Sequence, residues 1–441
     1  MSFPRYPAYK NSGVEWLGEV PAHWNLQPLK YLADFRSGGT PDKSNIDYWE
    51  GDIPWASAKD LKTDHLFDTA DHITDVAIES GTAALVPAGA VLVVVRGMIL
   101  ARIFPVTTAK VPIAINQDLK AIIAHRQIQP EFMAWLLRGS EAETLSRLDE
   151  AGHGTKALRM DTWGAMRLPV PSLEEQSAIA SFLDRETAKI DALVAEQEKL
   201  ITLLKEKRQA VISHAVTKGL DPSVPMKDSG VAWLGEVPAH WGVGALGYFA
   251  SVTTGATPDR DNPRYWGGSI PWIKTGEINY HPIEDAEEFI TEAGLKESST
   301  KLMPPGTMLM AMYGQGATRG RVAILKMAAT FNQACAAISC SDALNVDYLQ
   351  HFFVVAYEHV RDDGNQTSQM NLSSGAICQM RVTVPPVTEQ LAISQELDKV
   401  TVKIDRLTAE AQSAITLLQE RRTTLISAAV TGQIDVRGIT A

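Results

Sequence analysis

The feature that most constrains this chain is a thirteen-residue segment that occurs twice. Residues 12–24 read SGVEWLGEVPAHW and residues 229–241 read SGVAWLGEVPAHW, so only Glu15 and Ala232 differ between the copies. The two segments start 217 positions apart (229 − 12). Because a peptide of this length does not recur by chance within one chain, the repeat predicts two copies of one structural unit.

The correspondence continues well beyond this segment. Later matches keep the same order in both copies: YW at 48–49 and 265–266, IPW at 53–55 and 270–272, and NQ at 116–117 and 332–333. Near the end of each copy, LLKEKRQAVISHAVT at 203–217 corresponds to LLQERRTTLISAAVT at 417–431, and these two segments are 214 positions apart. An offset that falls by only three residues predicts two similar folds with small loop deletions.

The first part of each copy, residues 1–171 and 220–386, mixes short β-type runs with helical stretches. Gly, Pro and Trp are frequent there, and runs such as 91–95 and 307–312 are bounded by turn residues. This pattern predicts two similar globular domains of the α+β class. The two tails that follow, residues 172–219 and 387–432, have no Pro or Gly before Gly219 and Gly432. They predict two helices of roughly 65 Å each, with residues 433–441 as a C-terminal tail.

Both predicted helices carry apolar residues every seven positions, interrupted at Gln197 and Ala411, which is typical of a coiled-coil seam. The first helix has Leu183, Ile190, Leu204 and Val211, with Leu193 and Leu200 three places on; the second has Leu397, Ile404, Leu418 and Leu425, with Val400 and Leu407. We expect the helices to pair antiparallel as a rod, with the two domains related by an approximate two-fold axis. An intermolecular coiled coil is the alternative.

Composition argues against several function classes. The net charge of −11 speaks mildly against nucleic acid as the main partner. Three cysteines, Cys335, Cys340 and Cys378, without a C-x-x-C pair fit buried reduced thiols. Walker A, H-E-x-x-H, G-x-S-x-G and N-P-P-[FY] motifs do not occur in the sequence, so no catalytic residue, metal site or resident cofactor is predicted. A nucleotide-binding loop at 313–321, YGQGATRGR, remains an alternative.

The order of these motifs, twice over, resembles the specificity subunit of type I restriction-modification systems. The resemblance rests on DSGVxWLGEVPxHW, GTPD, IPWIKTGEI, PPxxEQ and the long helix with LLxE[KR]R, and it covers essentially the whole chain. It implies a non-catalytic cytoplasmic phage-defence protein. Each domain would read one half of a split double-stranded DNA target, and the helices would set the spacer.

The resemblance also implies partners. Two copies of an adenine-N6 methyltransferase subunit, which binds S-adenosylmethionine, would dock on this chain, and a motor-nuclease restriction subunit would join them. A coiled-coil scaffold that binds proteins and never touches DNA is the competing hypothesis.

Residues that read two different half-sites must differ between the copies and lie on loops. Three loop pairs meet this condition: Ser57 and Lys59 against Lys274 and Thr275; Arg96 and Arg102 against Tyr313, Gln315, Arg319 and Arg321; and Thr155, Lys156 and Arg159 against Gln366, Thr367, Ser368 and Gln369. Arg and Lys suit guanine, whereas Gln suits adenine. Solvated surface is the alternative for each of them.

Residues shared by both copies are expected to serve the scaffold instead. The shared tryptophans are predicted to lie in the core or at docking surfaces: Trp16, Trp24, Trp49, Trp55, Trp233, Trp241, Trp266 and Trp272. Glu175 with Gln176, and Glu389 with Gln390, are predicted in the first turn of each helix, where a carboxylate complements the helix dipole. The duplicated segment would either pack within each domain or seat a partner subunit.

Overall fold

Two long helices, one of 46 residues over Leu173–Lys218 and one of 44 residues over Val387–Val430, run through the structure. The computed structural model describes residues 3–150, 154–314, 318–362 and 372–438. The chain folds as two units: unit 1 comprises residues 1–197 and 413–441, and unit 2 comprises residues 198–412. Mixed sheets and helices in each unit, together with the two long helices, confirm the predicted α+β class.

Unit 1 contains sixteen strands and four short α-helices among its described residues, besides its parts of the long helices. The strands are β1 Tyr9–Asn11, β2 Glu19–Pro21, β3 Asn25–Pro28, β4 Ala33–Ser37, β5 Trp49–Ala56, β6 His65–Leu66, β7 Asp71–Ile73, β8 Leu85–Val86, β9 Val91–Val94, β10 Arg96–Gly97, β11 Val106–Ala109, β12 Ile113–Ile115, β13 Leu119–Ala124, β14 Leu148–Glu150, β15 Lys156–Leu158 and β16 Arg167–Val170. The helices are α1 Asp75–Glu79, α2 Pro130–Gly139, α3 Glu141–Leu145 and α4 Met160–Gly164, followed by the long α5, Leu173–Lys218.

The main sheet of unit 1 has the order β4-β13-β9-β11-β6, and its central strand is buried on both faces. That strand is β9, whose four residues Val91–Val94 are all buried, as a continuous run of β-branched and aliphatic residues predicts. Helix α2 buries six consecutive residues, 132–137, in the same core. A second sheet has the order β7-β5-β12-β8, and a small third sheet has the order β10-β15-β14.

Unit 2 repeats the same plan with fewer described strands. They are β17 Met226–Asp228, β18 Glu236–Pro238, β19 Gly242–Ala245, β20 Ala250–Thr254, β21 Trp266–Ile273, β22 Glu288–Ile290, β23 Met308–Ala311, β24 Val322–Ile324, β25 Thr330–Phe331, β26 Cys335–Cys340 and β27 Arg381–Val384. The helices are α6 Glu292–Lys296, α7 Val346–Asp362, α8 Ser374–Gln379 and the long α9, Val387–Val430. Its main sheet, β20-β26-β23-β24, has the order of β4-β13-β9-β11 in unit 1.

The seam of the long helices is shifted from the predicted one. The main apolar row is right, because Leu183, Ile190, Leu397 and Ile404 are all at most 5 % exposed. The companion row three places on is wrong at three of its four residues: Leu193 is 46 %, Leu200 is 41 % and Leu407 is 39 % exposed, whereas Val400 is half-buried. The buried companions lie four places on instead, and they include Thr187, Thr401 and Ile415.

Threonine is tolerated in this seam because its hydroxyl is satisfied within its own helix. The Thr187 hydroxyl donates to Leu183 O at 2.7 Å, and the Thr401 hydroxyl donates to Leu397 O at 2.8 Å. No polar atom of these side chains is therefore left without a partner in the apolar seam.

Ion pairs define the direction in which the long helices pair. In unit 1, Arg422 Nε donates to Asp191 Oδ1 at 2.9 Å; in unit 2, Arg208 Nε lies 3.4 Å from Asp405 Oδ1. Later residues of α5 thus pair with earlier residues of α9, so the helices pair antiparallel within the chain, as predicted. The four residues are related by the repeat offset of 214 (405 − 191 and 422 − 208).

Candidate nucleic-acid interface

The duplicated thirteen-residue segment holds the start of a long helix in each unit. In unit 1, His23 Nε2 lies 2.9 Å from Glu175 Oε1, and the buried Trp24 indole donates to the same carboxylate at 3.3 Å. Burial alone would raise the pKa of Glu175, but the hydrogen bonds from His23 and Trp24 outweigh it and hold that pKa below its usual value. Glu175 therefore does more than complement the helix dipole.

The same segment also contacts the end of the other long helix. Gly432, which follows α9, has a φ of +77°, and a Cβ built there would lie only 2.3 Å from Pro21 Cδ. The Tyr9 hydroxyl donates to Gly432 O at 3.0 Å. Only glycine combines this backbone conformation with so close an approach.

Unit 2 uses its copy of the segment in a similar way, except that the buried Trp241 indole finds no hydrogen-bond partner among the described residues. His240 Nε2 lies 2.8 Å from Glu389 Oε2 at the start of α9. Gly219, which follows α5, has a φ of +79°, and a Cβ there would lie 3.2 Å from the Trp241 ring. These contacts are internal to each unit, and they explain why the segment is nearly identical in the two copies.

The side chain of the glutamine next to each of these glutamates forms three hydrogen bonds with backbone groups. Gln176 is fully buried; its Oε1 accepts from Gln129 N at 2.8 Å, and its Nε2 donates to Gln127 O at 2.9 Å and Pro171 O at 3.0 Å. In unit 2, Gln390 accepts from Asn345 N at 2.7 Å and donates to Ala343 O and Pro385 O. These contacts give both glutamines a scaffold role.

The tryptophans shared by the two copies are mainly core residues. Trp24 and Trp241 are fully buried, and Trp55 and Trp272 are nearly so. Trp16, Trp49, Trp233 and Trp266 are partly buried and pack against the cores.

The first predicted loop pair lies at the end of β5 and β21, and its lysines are neutralised by neighbours. Lys59 Nζ donates to Asp71 at 2.6 Å, while Ser57 donates through its backbone and its hydroxyl to Asp60. In unit 2, Lys274 Nζ lies 2.8 Å from Glu287 and 3.0 Å from Glu288. All these ion pairs are solvent-accessible, so each contributes little stability.

A cleft of about 600 Å³ opens beside the second loop of that pair. Thr275 and Lys274 line it together with Thr257 and Gln333, whose side chains are hydrogen-bonded to each other. Arg260, also at this cleft, stacks 3.9 Å from the centroid of the Trp266 ring. Thr257, Arg260 and Gln333 were not among the predicted site residues.

In unit 1 the second and third predicted loops come together in one small sheet. Arg96 in β10 pairs with Ala157 in β15, next to Lys156. Arg96 and Arg102 are exposed, and no side-chain ion pair of either is found within the described ranges. Arg159 follows β15 and Thr155 precedes it, so the structure gathers Arg96, Thr155, Lys156 and Arg159 in one place that their positions in the sequence did not predict.

In unit 2 the corresponding residues divide into three groups. Arg319 is only 7 % exposed and donates to Arg361 O at 2.7 Å, so its placement favours a role in holding the loop rather than in reading a base. Tyr313 and Arg321 are partly exposed. Gln315 and the run Gln366, Thr367, Ser368 and Gln369 lie outside the described residues.

Neither a metal centre nor a membrane span is found in the part of the chain that the structure describes. No group of three or more His, Cys, Asp or Glu side chains there is placed to hold a metal ion. Likewise, none of the helices in the described ranges is long and apolar enough to cross a bilayer.

Comparison with known proteins explains this duplicated architecture. The family model of the type I restriction modification DNA specificity domain matches twice, at residues 21–203 and 238–417. The chain belongs to this family. The predicted resemblance, and with it the predicted role as a non-catalytic specificity subunit, is confirmed.

Relatives of this specificity subunit occur in bacteria and archaea. The EcoR124I/EcoR124II specificity subunit of Escherichia coli is 31% identical over 181 residues, which span 40% of this chain and 42% of that protein. The MjaIX specificity subunit of Methanocaldococcus jannaschii is 24% identical over 77% of this chain and 76% of that one. The EcoKI specificity subunit of Escherichia coli is 21% identical over 95% of this chain and 91% of that protein.

Solved structures share the fold of this specificity subunit. A chain from a study of complex assembly and conformational transition of the type I R-M system matches with a TM-score of 0.74 at 14% identity, covering 93% of this chain and 98% of that one. The HsdS subunit from Thermoanaerobacter tengcongensis matches with a TM-score of 0.55 at 14% identity, covering 94% and 98%.

Proposed function

We propose that this chain selects a bipartite DNA target for a type I restriction-modification complex. Residues 1–171 and 220–386 act as two target-recognition domains, and each reads one half of the target. The helices at 172–219 and 387–432 set the length of the unread spacer between the halves, and 433–441 is a tail.

The observation that carries this proposal is the contrast between what the two units share and what they do not. They share the order of strands in the main sheet, the contacts of the duplicated segment with the helix ends, and the hydrogen bonds of the buried glutamines. They differ at the surface loops: the position of Ser57 in unit 1 corresponds to Lys274 in unit 2, and that of Arg96 corresponds to Tyr313. A constant scaffold with variable loops is what two different half-sites require.

The proposal also covers the partners of the chain. Two copies of an adenine-N6 methyltransferase subunit dock on it and carry S-adenosylmethionine, and a motor-nuclease subunit joins them for cleavage. Specificity-subunit family membership supports assembly into such a complex. The net charge of −11 is compatible with DNA binding, because local cations such as Arg96 and Arg102 are exposed and partner subunits complete the DNA channel.

Co-expression with the methyltransferase subunit of the same system tests the proposal. Single-molecule sequencing of modified adenines should then show methylation confined to one split sequence with a fixed spacer. The competing hypothesis, a coiled-coil scaffold that does not bind DNA, predicts a stable protein complex without sequence-specific methylation. That second result would refute the proposal.

A further inference from the structure

The small sheet β10-β15-β14 of unit 1 has a geometry that sorts its side chains into two sets. Its strands are antiparallel, and Ala157 in β15 faces Arg96 on one side and Asp149 on the other. Lys156 in turn faces Gly97 and Glu150. Since successive side chains of a strand point to opposite faces, Arg96, Ala157 and Asp149 share one face, and Lys156 and Glu150 share the other.

Contacts in the structure agree with this division. Lys156 Nζ lies 2.7 Å from Glu150 Oε1 on one face. That face also carries Leu158, which is 6 % exposed and belongs to the core of unit 1, so it is the inner face at this strand. On the other face, Arg159 Nε lies 3.6 Å from Asp149 Oδ2, which places Arg159 beside the row of Arg96, Ala157 and Asp149.

The outer face therefore presents two guanidinium groups, a carboxylate and a small apolar residue in one short row. This set matches the edges of base pairs in the major groove: Arg donates to guanine O6 and N7, Asp accepts from cytosine N4, and the Ala methyl contacts the thymine methyl. Three strands about 4.8 Å apart span about 10 Å, which fits a major groove about 12 Å wide.

The sheet is held firmly on the domain. Leu158 N donates to Val95 O at 2.8 Å, directly after the buried strand β9. Helix α4 begins immediately after Arg159 and buries Trp163, whose indole lies 3.3 Å from the Thr144 hydroxyl. A face anchored to the core at the end of β15 loses less conformational entropy on binding than a free loop. The ion pairs of Arg159 with Asp149 and Asp161 are solvent-exposed and are easily exchanged for contacts with DNA.

We propose that the outer face of this sheet, formed by Arg96, Asp149, Ala157 and Arg159, reads base edges in the major groove of one half-site. The inference rests on the proposed function and deepens it by assigning Asp149, which lay outside the predicted loops, and Ala157. It also separates Lys156 from the base-reading set, because its side chain projects from the opposite face together with Glu150.

Two neighbouring acids provide a matched test. Asp149→Asn and Glu150→Gln each remove one exposed negative charge from β14, but only Asp149 lies on the outer face. Each variant, and Arg96→Ala, is co-expressed with the methyltransferase subunit of the same system, and the methylated sequences are read. We expect Asp149→Asn and Arg96→Ala each to relax the preference at one position of one half-site by roughly 5- to 150-fold. The other half-site and the spacer should not change.

The Glu150→Gln variant should methylate the parental target. An unchanged target in both Asp149→Asn and Arg96→Ala, with normal methylation, would overturn the inference and leave the proposed function standing. A uniform loss of methylation at all sequences in the Arg96→Ala variant would mean that Arg96 contacts a phosphate, and that result would also overturn the inference. Absence of any sequence-specific methylation by the parental complex is a different result, which refutes the proposed function itself. Thermal unfolding of each variant, compared with the parental chain, separates loss of fold from loss of reading.

Discussion

Replacing Gln176 by Met is expected to destabilise unit 1 selectively. Methionine has a similar length and volume, so the buried site stays filled while its hydrogen bonds disappear. The change leaves three backbone groups without their partner: the N–H of Gln129 and the carbonyls of Gln127 and Pro171.

The magnitude follows from the burial of these three hydrogen bonds. The one to Pro171 O is fully buried, and the loss of its donor costs about 1–3 kcal/mol. The other two are partly buried, and each contributes about 0.5–1.5 kcal/mol. The free energy of opening the start of α5 should fall by about 2–6 kcal/mol, which corresponds to at least about 30-fold faster amide exchange.

Hydrogen exchange followed by mass spectrometry measures this effect locally. The Gln129 amide should exchange much faster in the variant, whereas the Asn345 amide, which Gln390 holds in unit 2, should not change. Gln390→Met should give the reverse pattern. If Gln129 exchange rises less than about fivefold, or if both amides accelerate together, the reasoning from local hydrogen bonds is wrong.

Three further perturbations have defined outcomes. A seven-residue insertion in each long helix adds about 10 Å per helix and should lengthen the unread spacer by about three base pairs, as read from methylated adenines. Gly432→Ala should lower the unfolding temperature more than Gly18→Ala, because a Cβ at Gly432 would overlap Pro21, whereas at Gly18 it meets nothing within 4 Å. Burial lowers the pKa of His351 despite its neighbour Asp398, so unit 2 should lose stability as pH falls below about 6.5.

Each outcome has its own contrary result. An unchanged spacer after insertion in both helices would contradict their role as a ruler. Both glycines adopt positive φ, so each alanine carries about 1–2 kcal/mol of backbone strain; equal unfolding temperatures would mean that the contact with Pro21 is not tight. For His351, the folded chain binds fewer protons than the unfolded chain, so stability is present above the ordinary pKa and is lost below it. His351→Gln should flatten this pH dependence in urea unfolding, and an unaltered slope would assign it to other groups.

The long helices show where periodicity in the sequence is enough and where it is not. The absence of Pro and Gly and the seven-residue repeat predicted their existence and nearly their ends. The choice of companion row was wrong because Leu193 and Leu200 are more apolar than Thr187, which opens the row that is packed in the structure. Burial of Thr187 depends on a hydrogen bond to its own helix, and Arg422, whose side chain is 26 % exposed, pairs with Asp191, which lies 231 positions away.

The candidate DNA-reading residues divide in a similar way. Comparison of the two copies identified Arg96 and Arg159 as residues free to differ, and both lie at the surface. It could not show that they share one face, since 63 positions separate them (159 − 96) and only the pairing of β10 with β15 joins them. Arg319 looked equivalent by composition, but its guanidinium is buried against Arg361 O.

The sequence by itself determined that the chain is one unit used twice, that each unit is α+β, and that a long helix follows each globular part. Repetition and periodicity are local properties, and a linear pattern records them directly. Only the tertiary structure decided what the duplicated segment does, because the partners of Trp24 and Pro21, Glu175 and Gly432, lie 151 (175 − 24) and 411 (432 − 21) positions away from them. The free energy of such contacts depends on distances through space, which no spacing within the segment encodes.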